Sequence, residues 1–458
     1  MYDLPFLNRI EELRRLQRLL KQSQSRLGVV YGRRRCGKSR LLLESLPANR
    51  SVYFFCDQRE ASVQRAALAG AIGALLPGFD KVTYPDWDAL LARWWMEAEP
   101  GWVLALDEFP NLVLSARELP ATLQKFLDQP RPGGPHLLLC GSSQRMMQGL
   151  VLDRNAPLYG RAQEILRIAP LPAGWLEQAF PDLSPIQQVE TFALWGGIPR
   201  YWELARSFSN WDEALRDLVL SPMGILHDEP QTLLSDDLSD SIQSSSLLQL
   251  IGQGCQRLSE LASRLGKPST SLNRPLQRLV ELGLVSRQKP FGSEERDSKR
   301  SFYRIGDPFL RFWFRYVASQ RSLLQARQVE PVLAGIKADF PHFVAGIWED
   351  LVRAAIPQLG LSSKQWGLAQ AWWGAGLDRK PLEIDAVAQS VDGSSLLLAS
   401  VKWRENLTVN EAWAELRRQA EAFPESRGRA LHLAVFSQRP RPGSQEIGPK
   451  QVLQALRH

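Results

Sequence analysis

Cysteine is scarce in this chain: Cys36, Cys56, Cys140 and Cys255 are its 4 cysteines among 458 residues, and no two form a C-x-x-C pair. That pattern excludes a disulfide-stapled secreted scaffold, offers no zinc-ligand spacing, and predicts a chain that works in a reducing cytoplasm. Long apolar runs are absent as well. No stretch approaches the ~20 residues needed to span a bilayer, so no membrane partner is expected. The opening MYDLPFLNRIEELRRL has no apolar h-region, so a secretory signal is not expected either. Charge is not extreme: the net value is +7 with 23% charged residues. Such a balance permits nucleic-acid binding and is equally that of a solvated basic surface. The 15 tryptophans form no cage or repeat and read as core. A hydrophobic content of 44% is that of a soluble globular protein, and the length suggests roughly three domains.

Against this background one stretch stands out. Gly32-Arg33-Arg34-Arg35-Cys36-Gly37-Lys38-Ser39 fits G-x-x-x-x-G-K-[ST], the phosphate-binding loop of P-loop nucleotide hydrolases. RLGVVY before it reads as a short buried strand, and SRLLLESL after it as the start of a helix that carries Arg40 in its first turn. Glycines let the backbone wrap phosphates, and a helix N-terminus points free N–H groups at them. Lys38 is then expected to neutralise the β- and γ-phosphates of ATP and Ser39 to ligate Mg²⁺. The plainer reading, a basic glycine turn before a helix, does not account for strand and helix together.

SVYFFC predicts a second strand, with helices around residues 61–75 and 88–98. In WVLALDEFP an apolar run ends in Asp107-Glu108, roughly 70 residues beyond the loop. This resembles a Walker B element, with Asp107 in the Mg²⁺ shell and Glu108 polarising the attacking water. Paired acids also begin ordinary helices, and only the distance from the loop favours the catalytic reading. HLLLCGSS is a further buried strand. In additional-strand P-loop ATPases the strand beside Walker B ends in a polar sensor of the γ-phosphate. Ser142 or Ser143 fits that role, and either serves equally well as the N-cap of QRMMQGL.

Phe6-x-x-Arg9-x-x-Glu12-x-x-x-Leu16, VVYGRRRCGKSRLL, LALDEFP, LCGSS and PLYGR together resemble the archaeal-type ATPase family. That family is a branch of the STAND division of the AAA-related P-loop ATPases. Trp195-Gly196-Gly197-Ile198-Pro199-Arg200-Tyr201 extends the likeness, resembling the family's G-G-x-P-x-Y element in a helical lid. The resemblance covers residues 1 to about 230. Cys36 departs from the small aliphatic residue usual there, without consequence if only its backbone faces phosphate. For Arg161 the resemblance implies an arginine finger or a sensor; a surface arginine is the alternative.

LLQLIGQG, LSELASRLG and STSLNRPLQRLVELG read as three short helices, with Ser259 and Ser269 placed as N-caps. LVSRQ and SFYRI read as strands around KPFGSEERDSKR. Three helices and a hairpin predict a winged helix-turn-helix. If it reads DNA, Ser271, Asn273, Arg274 and Arg278 enter the major groove, and the wing offers Lys289, Lys299 and Arg300. Glu294, Glu295 and Asp297 in the same wing repel phosphates, and in STAND-like ATPases this module often packs on the ATPase instead. DPFLRFWFRY follows, resembling the family's D-P-F-x-R-F-W-x-x-Y signature. It carries no chemistry and reads as an aromatic helical linker between domains.

Glu383-Ile384-Asp385-Ala386-Val387-Ala388 alternates as a strand, and LLLASVKW is a second. A helix from Val409 to Ala422 and a strand LHLAVFS follow. An acid on one strand and [DE]-x-K on the next is the core of the PD-(D/E)XK nuclease fold, which the C-terminal domain of the archaeal-type ATPases resembles. Its acids hold Mg²⁺ and its lysine orients water. Here Asp385 and Lys402 match, but position 400 is Ser, which supplies no ionised ligand. Glu349 on FVAGIWEDLVRAAI and Glu383 are candidates to replace the missing acid. The favoured reading is a degenerate site.

The expected fold is α/β multidomain. Residues 1–170 form a P-loop parallel α/β sheet and 171–240 a helical lid; 241–306 form a winged helix-turn-helix and 307–335 an aromatic linker. A restriction-endonuclease-like α/β domain, degenerate as a nuclease, completes the chain at 336–458. The expected function is a cytoplasmic, Mg²⁺-dependent ATPase acting as a nucleotide-driven conformational switch, with DNA and protein partners both open. Two alternatives stand beside it: a DNA-processing ATPase with a live nuclease, and a slow STAND-like regulatory switch acting on protein partners. Ser400 counts against the first, and the acidic wing favours the second.

Overall fold

The structure, a computed structural model, describes residues 4–129, 132–238, 241–293, 300–404, 409–426 and 428–457. They divide into two compact units. One holds residues 8–170 with 235–238; the other holds 4–7, 171–234 and the described residues beyond 240.

The first unit is built on a five-stranded parallel sheet of order β2-β3-β4-β1-β5. Its strands are β1 (Leu27–Tyr31), β2 (Ser51–Phe55), β3 (Val103–Asp107), β4 (His136–Gly141) and β5 (Ala162–Arg167). A strand buried on both faces reads as a continuous apolar run, and an edge strand alternates. The order follows that rule. β3 and β4 are buried at every residue and β1 at all but Tyr31, whereas the edge strands β2 and β5 alternate. The helix Ile10–Leu20 is fastened to the β5 edge by Arg15 and Arg18, which hold the buried Glu164 carboxylate at 2.6 and 2.7 Å. The sheet core is filled by Trp87, Trp94 and Phe109 with the aliphatic residues of β1, β3 and β4.

The second unit begins with short helices, among them Pro185–Trp195 and Pro199–Arg206. Ser184 and Gln187 form a reciprocal cap on the first of these. Three helices follow, Ser241–Gly252, Leu258–Leu265 and Ser269–Glu281, then an antiparallel pair, β6 (Val285–Gln288) and β7 (Phe302–Ile305). Neither expected serine cap forms. Glu260 accepts the Gln256 and Arg257 N–H groups at 3.1 and 3.2 Å, leaving Ser259 inside its helix. Pro268 precedes the third helix, and Ser269 is its first residue.

The remaining strands are β8 (Gln370–Ala375), β9 (Pro381–Gln389), β10 (Ser395–Lys402) and β11 (Ala430–Ser437), in the order β11-β10-β9-β8. β10 and β11 run parallel; the other two pairs are antiparallel. The helix Val329–Ala355 runs unbroken past residue 335, so the expected linker boundary falls inside one helix.

The DPFLRFWFRY segment ties this unit together. Asp307 caps the helix Pro308–Phe312 by accepting the Leu310 N–H at 2.8 Å. Phe309 packs on Tyr201 and Trp195 of the G-G-x-P-x-Y element. The Trp313 indole N–H donates to the His227 carbonyl at 2.8 Å. Arg311, with Arg304 from β7 and Arg353 from the long helix, surrounds Asp350. Burial opposes ionisation of Asp350, but the three guanidiniums hold its carboxyl well below the usual carboxylate range.

Asp350→Asn should therefore destabilise the protein by about 2–3 kcal/mol, short of the ~3–5 of a fully buried pair, because Asp350 keeps 30% of its side-chain surface. The stability it contributes is present above the unfolded carboxylate range and is lost as pH falls through its depressed folded value. Denaturant unfolding of both proteins at neutral and acid pH measures this; equal stability at neutral pH would refute it.

Candidate functional site

The phosphate loop leaves β1 at Gly32, where φ is +150° and a Cβ would run into the Ile168 backbone. Arg35 and Gly37 also have positive φ, 67° and 87°. A Cβ at Gly37 would meet nothing within 4 Å, so the demand for glycine there is conformational. Lys38 begins the helix Lys38–Ser45, is 5% exposed, and its Nζ donates to the Arg33 carbonyl of its own loop at 3.1 Å. Ser39 follows in the first turn. Arg33 and Cys36 are buried, Arg34 is exposed, and Arg35 and Arg40 are half-buried. Arg40 lies 3.9 Å from Glu44. Arg9 of the F-x-x-R motif braces the loop from behind: its guanidinium donates to the Cys36 carbonyl at 3.4 Å and to Ala169 O at 2.5 Å.

β4 lies between β1 and β3, so its C-terminal end lies between the loop and the acid pair. Asp107 is fully buried and its carboxylate accepts from the Tyr53 hydroxyl at 2.6 Å and from the Glu108 N–H at 2.9 Å. Burial first, and then this bond to Asp107, push the Tyr53 hydroxyl far above its ordinary pKa; a further hydrogen bond links it with Ser39. Ser39, Tyr53 and Asp107 thus form one network. Glu108 sits in the left-handed region, φ 53° and ψ 41°, a conformation costing about 1–3 kcal/mol that clusters at functional sites. Its Oε2 accepts from the Ser142 N–H at 3.0 Å and the Ser142 hydroxyl at 2.8 Å. Ser143 instead accepts the Met146 N–H and caps the short helix Gln144–Met147. Ser142 therefore touches the acid, and Ser143 is the cap.

Arg161 is not brought to this site within its own domain. The register pairs Leu27 with Ala162 and Tyr31 with Arg167, so Arg161 lies at the N-terminal end of the parallel sheet. The loop leaves the other end, about 13 Å along β1. There Arg161 makes a two-pronged pair with Asp128 at 2.7 Å, which raises its own pKa and lowers that of Asp128. Sequence reasoning missed Tyr53. Its position on β2, paired with Ala105 two residues before Asp107, becomes meaningful only once β2 and β3 are neighbours.

In the C-terminal sheet, Asp385 Oδ2 accepts from the Val401 N–H at 2.7 Å and from Lys402 Nζ at 3.1 Å. Glu349 faces the same place from the long helix. Burial raises its pKa; Arg353 opposes this and Asp385 reinforces it. Arg353 donates to the Asp385 carbonyl at 2.8 Å and lies 3.5 Å from Glu349. Glu383 is exposed on the Asp385 side of β9, and Ser400 is buried on the Lys402 side of β10. The structure thus gathers Glu349, Asp385 and Lys402, and adds Arg353, which sequence reasoning missed. Its i, i+4 spacing from Glu349 was the available signal.

On the third helix of the three-helix module, Ser271, Asn273 and Arg274 are exposed, while Arg278 is half-buried and 3.4 Å from Glu281. The hairpin is engaged with β8. Phe302 stacks on Trp373 at 4.2 Å, the Phe291 N–H donates to Ala371 O at 2.9 Å, and Arg300 donates to the Trp373 carbonyl. Lys289 is half-buried at the hairpin's first strand. Lys299, Glu294, Glu295 and Asp297 lie outside the described residues.

A parallel sheet with a glycine loop and buried lysine after one strand, and an acid pair after another, defines a P-loop ATPase domain. Comparison with known proteins agrees: residues 6–203 match the family described as an ATPase domain predominantly from Archaea. Residues 313–415 match a family of archaeal and bacterial proteins of unknown function. An uncharacterized protein of Methanocaldococcus jannaschii is 26% identical over 422 residues, covering 91% of this chain and 92% of that protein. The Walker-type ATPase PABY2304 of Pyrococcus abyssi shares the fold, with TM-score 0.52 and 19% identity over 68% of this chain and 96% of that one. The Aeropyrum pernix ORC2 protein follows at TM-score 0.45 and 16% identity, covering 71% of this chain and 96% of its own. No described helix is long and apolar enough to cross a membrane.

Proposed function

We propose that the protein is a cytoplasmic, Mg²⁺-dependent ATP hydrolase that works as a nucleotide-driven conformational switch. The observation that carries this reading is the Glu108–Ser142 contact at the strand ends between loop and acid pair. Lys38 and the N–H groups of the loop and its helix bind the β- and γ-phosphates. Ser39 and Asp107 are hard oxygen donors joined through Tyr53, a set that fits Mg²⁺. When bound, that ion neutralises phosphate charge. Glu108 takes the proton of the attacking water, and Ser142 fixes the carboxylate that does so. Of the loop arginines, Arg33 is buried, Arg35 half-buried and Arg34 exposed, and in this reading they flank the bound nucleotide.

The three-helix module with its hairpin is read as a winged helix, and the C-terminal sheet as a PD-(D/E)XK-like fold whose metal site is degenerate. Arg353 and Lys402 already neutralise Glu349 and Asp385, and Ser400 brings no charge. A second reading, a slow regulatory switch acting on protein partners, draws support from the hairpin. Arg300 and Phe302 are committed to β8, which leaves the wing less to offer DNA. Turnover of ATP with Mg²⁺ or with EDTA, with and without duplex DNA, tests the proposal. We expect Mg²⁺-dependent turnover and no cleavage of plasmid or single-stranded DNA with Mg²⁺ or Mn²⁺. Absence of turnover would remove the hydrolase reading. Cleavage abolished by both Asp385→Ala and Lys402→Ala would restore the nuclease.

A further inference from the structure

A cleft of about 410 Å³ opens between the Gly252–Gly254 turn, the end of β7 and the DPFLRFWFRY segment. Three guanidiniums line it: Arg304, Arg311 and Arg315. Its rim carries Gln253 and Gln256. Clefts of roughly 300–1,000 Å³ with a few convergent polar groups are the usual dimensions of small-ligand sites. The ATP-binding residues take no part in this one.

The charges around it do not balance internally. Asp350 serves Arg304 and Arg311 of the cleft together with Arg353 behind them, and the second acid on that helix, Glu349, pairs with Arg353 at 3.5 Å. Arg315 has Asp339, whose same oxygen also accepts from the Tyr316 hydroxyl at 2.6 Å. Arg311 is the most constrained of the three. Its Nε and one Nη donate to the Ile305 carbonyl at 3.0 and 2.9 Å, and that Nη also reaches Asp350 at 2.8 Å. Its Nη1 is buried and has no hydrogen-bond partner among the described residues. A buried guanidinium N–H without an acceptor is destabilising, and it leaves the Arg311 cation incompletely compensated within the chain. Burial and the neighbouring Arg304 and Arg353 lower the Arg311 pKa to about 10, the direction expected where cations crowd one another. At Gly254, with φ +98°, a Cβ would meet nothing within 4 Å, so the turn leaves this side of the cleft open.

We propose that this cleft is a second anion site, which binds the phosphate group of a ligand through Arg304, Arg311 and Arg315. Planar guanidiniums suit phosphate oxygens geometrically, and three in one cleft select a multiply charged anion over a singly charged one. The phosphate belongs to a small phosphorylated molecule or to a nucleic-acid backbone, and the two sources are separable by experiment.

The test uses the full chain carrying Lys38→Ala, so that pyrophosphate captured by the ATP loop does not mask the cleft. Calorimetry with pyrophosphate and fluorescence titration with a duplex DNA oligomer are run on this protein. They are repeated after adding Arg315→Gln, or Gln253→Glu, which places a negative charge on the exposed rim. Binding of either probe that weakens about tenfold or more in both added variants is expected. Pyrophosphate sensitivity identifies a small ligand, and sensitivity of the duplex alone identifies nucleic acid. Arg315→Gln also touches Asp339, so circular dichroism accompanies it, and Gln253→Glu alone decides if that variant does not fold. No binding of either probe to the Lys38→Ala protein, or binding unchanged by Gln253→Glu, overturns the proposal. Neither outcome depends on ATP being hydrolysed.

Discussion

Glu108→Gln should leave ATP bound and slow its hydrolysis by roughly 10²-fold or more, the usual contribution of a positioned general base. The substitution is nearly silent for the fold. Glutamine keeps an oxygen that accepts from the Ser142 N–H and hydroxyl, now held at 3.0 and 2.8 Å, and it meets the same strain at φ 53°. Only the capacity to take a proton is removed. Single-turnover hydrolysis and calorimetric ATP binding on the same preparation separate the two effects. Wild-type turnover would mean that another group orients the water. A joint loss of binding and turnover would mean that the acid pair supports the loop rather than the reaction.

The parts of this molecule that sequence makes legible are those whose physics is local. Central strands buried on both faces read as unbroken apolar runs, and β1, β3 and β4 do so. The loop is legible because glycine, lysine and serine at fixed spacing are demanded by one turn. Contacts between strands are a different matter. Tyr53 and Asp107 are 54 residues apart, and nothing in SVYFF marks its tyrosine as facing an acid. The position of Arg161 is hidden for the same reason: proximity to a strand does not reveal which end of the sheet the strand begins at, and only its register with β1 does. The helix starts at Leu258 and Ser269 fail on competition. Glu260 ties the first start from within its helix by accepting the Gln256 and Arg257 N–H groups, and Pro268 holds the cap position of the third helix with no side-chain hydrogen bond. In the C-terminal sheet, Asp385 and Lys402 are legible as a pair. Arg353, which neutralises their surroundings, comes from a helix whose packing the strands alone do not specify.

Lys38→Ala should lower ATP affinity by roughly 10²-fold or more, since two charge-assisted hydrogen bonds of about 1.5–3 kcal/mol each are lost. The ground for so large an effect is the lysine's confinement. Lys38 is 5% exposed, and its ammonium is already folded back onto the loop through the Arg33 carbonyl at 3.1 Å. Little side-chain freedom remains to be lost when phosphate oxygens replace that carbonyl as acceptor, so most of the interaction reaches the binding free energy. The three arginines beside it do not compensate. They project from residues 33–35, on the turn before Gly37, whereas Lys38 rises from the first turn of the helix whose N–H groups face the phosphates. Removing the side chain leaves the Arg33 carbonyl without this donor, a cost to the loop's own stability of about 1 kcal/mol. A loss of affinity from loop unfolding would therefore come with a lower melting temperature of the nucleotide-free protein. Calorimetry of ATP binding, paired with thermal unfolding in its absence, distinguishes the two. Unchanged affinity in Lys38→Ala would mean that nucleotide, if bound, sits elsewhere than on this loop.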